Sequence, residues 1–248
     1  EIDAIRRAGV EIVLNSRLGR DVTINSLLGE GGYSAVLLAL GAQISRAMRI
    51  PGEDKDGVWG GTEFLQKVAL GDAPDLTGKR IAVVGGGNTA IDAARTAMRL
   101  GASEVHIVYR RTRLDMPAQV LEIAEAEEEG LQIHTLVNPT AIVGNGKVEG
   151  LQLIRQELGD FDESARRRPN PIEGSEFVLP VDVVIQAIGQ STDTSCVGEA
   201  GVSFNRNTTI EVERNLATTR PGVFAAGDAV LGPATVVEAV AQGNKVAE

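Results

Sequence analysis

The stretch from Lys79 to Arg111, KRIAVVGGGNTAIDAARTAMRLGASEVHIVYRR, restricts the possible folds more than any other part of the chain. Arg80 to Val84 is apolar and β-branched, as a buried strand requires. Gly85-x-Gly87-x-x-Ala90 follows at once, and Ala90, Ile91, Ala93, Ala94, Ala97 and Met98 then recur at helical spacing. Glu104 to Tyr109 reads as a second strand. Strand, glycine turn, helix and strand make a βαβ unit, which closes only on a parallel sheet.

The small residues in that turn carry chemistry. Gly85 permits the tight turn, Gly87 lets backbone approach a pyrophosphate, and Ala90 takes the third small position of a Rossmann fingerprint. The helix behind them offers unpaired N–H groups and about half a positive charge at its amino end. A dinucleotide site is therefore expected on Gly85, Gly86, Gly87, Asn88, Thr89 and Ala90, with Asn88 and Asp92 ordering the turn rather than moving protons. Sites selective for NAD place Asp or Glu about 20 residues past the glycines, on the ribose hydroxyls. This chain has Arg110 and Arg111 there. A guanidinium cannot accept from a hydroxyl but can donate a pair of bonds to a 2′-phosphate. At about 1.5 to 3 kcal/mol for one such bond, the preference for NADP(H) is about tenfold or more. The alternative is a solvated strand end.

With 248 residues, 43% of them hydrophobic and 23% charged, the chain can build one large or two modest α/β domains. It contains no apolar run near the ~20 residues that span a bilayer, and no leader opens it, so a cytoplasmic protein is expected. A formal charge of −10 argues against nucleic acid or an anionic membrane as partner, and any bound anion must be held by local donors. Cys196 is the single cysteine, too few for a disulfide, a CxxC pair, a zinc site or an iron–sulfur cluster, and no metal site is expected. His106 and His134 lie in strand-like stretches and read as strand histidines rather than catalytic ones.

In chain order, Glu1 to Gly9 has helical spacing, Val10 to Leu14 reads as a strand, and Asp21 to Leu28 is ambiguous. Ser34 to Leu40 is a continuous apolar run ending in Gly41-Ala42, the pattern of a buried parallel strand. Ile50 to Trp59 reads as a linker, with Trp59 an anchor for it, and Thr62 to Leu70 as a short helix. Asp115 is expected to cap a helix running to Glu129, whose acidic run Glu127 to Glu129 forms a solvated face. Leu131 to Val137 is strand-like, and Asn145-Gly146 predicts a turn in an antiparallel meander. Gly159 to Gly174 reads as a polar loop; its cluster Arg166-Arg167-Arg168 is either solvated or in contact with a cofactor phosphate or a partner. Val181 to Ile188 is a second apolar strand closed by Gly189. Gly222 to Ala226 runs into Gly227-Asp228, and Ala234 to Ala247 is a helix still under way at the last residue. Asp228, after a buried strand and a glycine, is placed to accept hydroxyl hydrogen bonds, or else to cap a helix or turn.

Taken together, AVLLALGA (Ala35 to Ala42), IPGED (Ile50 to Asp54), GGGNTAIDAAR (Gly85 to Arg95), VYRR (Val108 to Arg111), DMPA (Asp115 to Ala118), DVVIQAIGQ (Asp182 to Gln190) and GVFAAGDA (Gly222 to Ala229) resemble the glutamate synthase small-subunit (beta chain) family of FAD-dependent NADPH oxidoreductases. The motifs span nearly the whole chain in family order. The resemblance implies an α/β fold in which a Rossmann-like NADPH-binding domain, residues 51–189, is inserted in a partial FAD-binding Rossmann-like domain, residues 1–50 and 190–248. It implies NADP(H) and FAD as cofactors, with Gly189 and Gly227 at strand exits toward them, Asp228 on the FAD ribitol, and Thr235 and Val236 near the flavin ring. In such relatives a first FAD-binding unit and an iron–sulfur domain precede the helix that opens this sequence, so a piece cut at both ends is expected. Gln119 departs from the family, where many members have Arg.

The reaction so implied is hydride transfer between NADPH and FAD, passed on to an iron–sulfur domain or a large-subunit acceptor. The cofactors supply that chemistry, and no catalytic side chain is expected. The alternative is a module that binds NADP(H) and catalyses nothing. A dithiol reductase is excluded by the single cysteine.

Overall fold

An apolar run becomes a strand only where a neighbour takes up its amides, and this requirement sorts the chain into two compact units. Residues Glu1–Ala42 and Ser191–Glu248 form one, and Gln43–Gln190, inserted between those segments, form the other. The computed structural model describes residues 1–162, 166–198 and 200–248. The seam falls eight residues before the Pro- and Gly-rich stretch that composition suggests. Thr62 N–H donates to the Ser45 hydroxyl (3.2 Å) and Arg46 Nε to the Gln190 carbonyl (3.1 Å), which fastens the stretch after Ala42 to the second unit.

The first unit opens with α1 (Ile2–Arg7), which stops at Gly9. Val10 to Leu14, expected as a strand, is not one: no strand among the described residues takes up its amides, and its side chains are exposed. The ambiguous segment resolves as α2 (Ile24–Leu28), begun by a reciprocal cap between Thr23 and Ser26. β1 (Val36–Leu38) keeps only the centre of its apolar run.

The second unit contains β2 (Ile44–Ser45), β3 (Val58–Gly60), α3 (Gly61–Ala69), β4 (Arg80–Val84), α4 (Asn88–Arg99), β5 (Glu104–Tyr109), α5 (Val120–Glu128), β6 (Gln132–Thr135), β7 (Val137–Val143), β8 (Gly150–Phe161), β9 (Arg167–Pro171), β10 (Phe177–Leu179) and β11 (Val183–Gln186). Five strands form a parallel sheet in the order β3-β11-β4-β5-β6. Because strand side chains alternate, Ile81, Val83, Ile107 and Ile185 face a core with Phe64, Ile91 and Ile123 of α3, α4 and α5. Ala82, Val84, Val108 and Val184 face the other way, onto Ile142, Leu151 and Leu153 of an antiparallel layer, β10-β8-β7 with β9 beside β8. Both faces of the parallel sheet are thus covered, which explains its continuous apolar strands.

Several local expectations need correction. Val58–Gly60, read as part of a linker, is a strand, because β11 pairs with it. Trp59 nevertheless packs against the helix-side core, with Lys67 Nζ 5.6 Å from its ring. Asp115 does not cap α5; its carboxylate turns back to the Thr112 N–H (3.1 Å) and closes a 3-10 turn, so α5 starts later, from Gln119. The acidic run is not simply solvated, since Glu127 pairs with Arg113 (2.6 Å) and Glu129 with Arg95 and Arg99 (both 2.7 Å). Those guanidinium bonds hold both carboxyls below the usual range. The polar loop is largely a hairpin arm, because β8 runs on to Phe161 and β9 pairs with it; residues 163–165 lie outside the described residues.

The chain returns to the first unit through β12 (Gln190–Ser191) and adds β13 (Val223–Ala225), α6 (Asp228–Leu231) and α7 (Val236–Ala247). β13 lies parallel to β1, and Ile24, Leu38, Ile210, Val223 and Ala225 form the core there. No helix of the described residues is long and apolar enough to cross a membrane.

Candidate functional site

The turn after β4 is built from three glycines with three separate reasons. Gly85 has φ +146°, and a Cβ on it would lie 2.2 Å from the Ala187 carbonyl oxygen, so no side chain fits. A Cβ on Gly86 would meet the Tyr109 ring at 2.6 Å. On Gly87 it would meet only Pro117, at 3.8 Å, and would otherwise project into open space over the amino end of α4. That space is the size of opening a phosphate needs beside a helix amino end. Behind the turn Ala90 is fully buried, and the Asn88 side-chain oxygen accepts from Gln119 N–H (3.3 Å), which orders the loop before α5.

β3, β4 and β11 run parallel, so their carboxyl ends lie on one edge. The Gln190 amide, one residue past Gly189, donates to the Thr62 hydroxyl (2.8 Å) and reaches the Thr89 hydroxyl (3.5 Å), tying the first turns of α3 and α4 to the end of β11. Beyond β3 lies a cavity of about 350 Å³ lined by Trp59, Gly60, Gln186, Glu53 and Glu63. Its two carboxylates make it a poor seat for a phosphate.

The two arginines after β5 separate sharply. Arg110 is exposed, and its guanidinium forms no hydrogen bond or ion pair among the described residues. Arg111 is 3% exposed and already occupied. Its Nε donates to the Arg167 carbonyl (2.8 Å) and its terminal nitrogen to the Asp162 carboxylate (2.8 Å). A guanidinium cannot stay buried without such partners. Of the two arginines expected to clamp a 2′-phosphate, Arg111 holds the β8–β9 hairpin against the end of β5, and Arg110 stays uncommitted among the described residues.

The remaining expected residues lie in the first unit. Gly227 (φ +70°) donates its N–H to the Gln242 side-chain oxygen (2.6 Å). Asp228 opens α6, and one of its oxygens accepts from Ala234 N–H (3.3 Å), so it caps a turn with one oxygen. Thr235 is the N-cap of α7, in a reciprocal box with Glu238, and Val236 follows it exposed.

The pyridine nucleotide-disulphide oxidoreductase family model matches residues 4–243. The chain belongs to that family. Among its relatives, the beta subunit of the NADP(+)-dependent formate dehydrogenase of Moorella thermoacetica is 50% identical, over all of this chain and 35% of that protein. The glutamate synthase [NADPH] small chain of Escherichia coli K12 is 37% identical, over 97% of this chain and 54% of that one. The chain thus spans about a third to a half of these curated relatives. Among solved structures, Mycobacterium tuberculosis FprA in complex with NADPH has a TM-score of 0.77 and 23% identity, over 93% of this chain and 65% of that one; at that identity the likeness shows the fold.

As a member of the pyridine nucleotide-disulphide oxidoreductases, the chain holds several polar groups that sequence reading passed over. Asp162 has no local signal, since its partner Arg111 is 51 residues away. Gln190 sits in a quoted motif without an assigned task. Glu122, in the first turn of α5, buries one carboxylate oxygen with no hydrogen-bond partner among the described residues. The histidines form a pair, His106 Nδ1 to His134 Nε2 at 3.1 Å, with Glu104 3.3 Å from His106 Nε2. They join β5 to β6. Burial, and then the neighbouring His106, push the His134 imidazole below its ordinary value.

Proposed function

We propose that the chain is an NADPH-dependent FAD oxidoreductase of glutamate synthase small-chain type, with NADP(H) on the unit Gln43–Gln190 and FAD on the unit formed by the chain's two end segments. The observation that carries it is the turn Gly85–Gly87, closed to side chains at Gly85 and Gly86 and open over α4 at Gly87, with uncommitted Arg110 at the end of the next strand. The residues fit the nucleotide: Gly87 admits a pyrophosphate, the amino end of α4 offers it N–H groups, and Arg110 donates to a 2′-phosphate. Asp228 has one oxygen left to accept a ribitol hydroxyl, with Thr235 and Val236 beside the flavin. Bound FAD and NADPH supply the hydride chemistry between nicotinamide C4 and flavin N5. The chain's own part is to bind and orient both groups and keep the nicotinamide nucleotide selective. It contributes no proton-transferring side chain. Relatives named as subunits of larger enzymes support onward electron transfer to an iron–sulfur domain or a large-subunit acceptor.

Three measurements test this. Arg110→Ala should weaken NADPH about tenfold or more and leave NADH unchanged; equal losses defeat the selectivity. Gly87→Val should impair both nucleotides, and unchanged NADPH affinity defeats the fingerprint reading. With FAD added without oxygen, NADPH should bleach the flavin. Bound NADPH without bleaching would favour a nucleotide-binding module that catalyses nothing.

A further inference from the structure

A 2′-phosphate carries close to two negative charges, and the chain as a whole is negative, so the charge must be met locally. Around the end of β5 most cations are spent. Arg111 is held by Asp162 and the Arg167 carbonyl, and Arg113 by Glu127. Arg167 donates Nε to the Gly159 carbonyl (3.0 Å) and a terminal nitrogen to the Leu158 carbonyl (3.0 Å), stapling its own hairpin. Arg110 alone supplies one charge.

Arg168 is the cation left over. It is exposed on β9, and its side chain forms no hydrogen bond or ion pair among the described residues. Strand alternation turns it to the face opposite Arg167. Its position relative to Arg110 is fixed by the Arg111 bond, which brings the carbonyl carried by the peptide between Arg167 and Arg168 to 2.8 Å from the side chain next to Arg110. From bond lengths, the α-carbons of Arg110 and Arg168 are then at most on the order of 15 Å apart, and each extended arginine side chain spans roughly 7 Å. By length alone, the two side chains can therefore reach a common phosphate.

We infer that Arg168, presented by the β8–β9 hairpin, is a second specificity-determining residue for NADP(H) beside Arg110, and that Arg111 and Asp162 are the positioning pair that docks it. This rests on the reading of Arg110 as a 2′-phosphate ligand. It gives Arg168, the member of the hairpin's basic cluster that its neighbours leave without a task, a place on the same phosphate.

The test is equilibrium binding of NADPH, NADH and adenosine 2′,5′-bisphosphate to the full chain and its variants by calorimetry. Arg168→Ala should weaken NADPH and the bisphosphate about tenfold or more and shift NADH less than about twofold. Arg168→Lys should recover part of the loss, and neither exposed substitution should move the unfolding midpoint. Asp162→Asn should reproduce the selective loss, with Asp162→Glu restoring it. The inference is overturned if Arg168→Ala leaves NADPH unchanged or weakens both nucleotides equally. It is also overturned if Asp162→Asn tightens NADPH, since Arg111 would then be a phosphate ligand restrained by the carboxylate. Arg110→Ala separates the two readings: if it removes selectivity and Arg168→Ala does not, only this inference fails, whereas no effect of Arg110→Ala removes the reading beneath it.

Discussion

β4 and β13 end alike, each an apolar parallel strand that runs through a positive-φ glycine into a helix, yet their surroundings differ. Around β4, neighbours stand on both sides and both sheet faces are covered, so Gly85 sits against the Ala187 carbonyl with no space left. Among the described residues, β13 has one strand partner, β1, and a single bridge from Ala217 on its other side, and a Cβ on Gly227 would meet only Ala239, at 3.7 Å. The contrast continues into the helices: α4 buries five residues, whereas α7 buries none and exposes Val236, Val237 and Val240. The same local motif is tightly determined in one place and loosely in the other. Packing, and not the glycine, decides how much a substitution there costs.

The sharpest way to break that comparison is to add a methyl group to each glycine. Gly85→Ala should cost more than about 3 kcal/mol, because the clash with backbone adds to the strain of φ +146°, read as a drop in the denaturant midpoint. Gly227→Ala, strained but unopposed, should cost only about 1 to 3 kcal/mol. Equal costs would end the distinction. Next in size, Ile107→Ala in the covered sheet should cost about 2 to 5 kcal/mol. Removing the α7 cap with Thr235→Ala should cost about 1 kcal/mol.

Two smaller effects refine it. An imidazole depressed in the folded chain is protonated more readily when unfolded. The His134 contribution is therefore flat above its ordinary value of 6.5 and turns destabilising as pH falls below it. Thermal midpoints measured from neutral to acid pH should fall in that window, and His106→Gln should soften the fall by removing the like-charge neighbour while leaving the burial. Last, Val237→Ser on the exposed face of α7 should change stability by less than about 0.5 kcal/mol, by the same denaturant measurement.

What sequence reading could reach follows the same division. β4, α4 and β5 were legible because every signal is local: an apolar run, a glycine spacing, a helical period. Arg110 and Arg111 are adjacent and chemically identical, so only the fold distinguishes them; the distinction comes from Asp162, far along the chain. Val10 to Leu14 has the composition of a strand without a partner. β9 failed in the opposite direction, since Pro169 and Pro171 suggest a loop, but an edge strand paired only with β8 tolerates them. Asp115 has the right type for a cap and was taken by the nearer amide of Thr112. For Arg111 and β9 the deciding partner lies outside the window of the pattern, for Asp115 it is a nearer amide, and for Val10 to Leu14 no partner arrives among the described residues.

The Gln190 side chain joins the opening turns of two helices to one strand end. The positive poles of both dipoles are therefore set at a constant separation before anything arrives, and their combined potential keeps its form as an anion approaches. An encounter governed by that preset field should follow collision frequency and ionic strength.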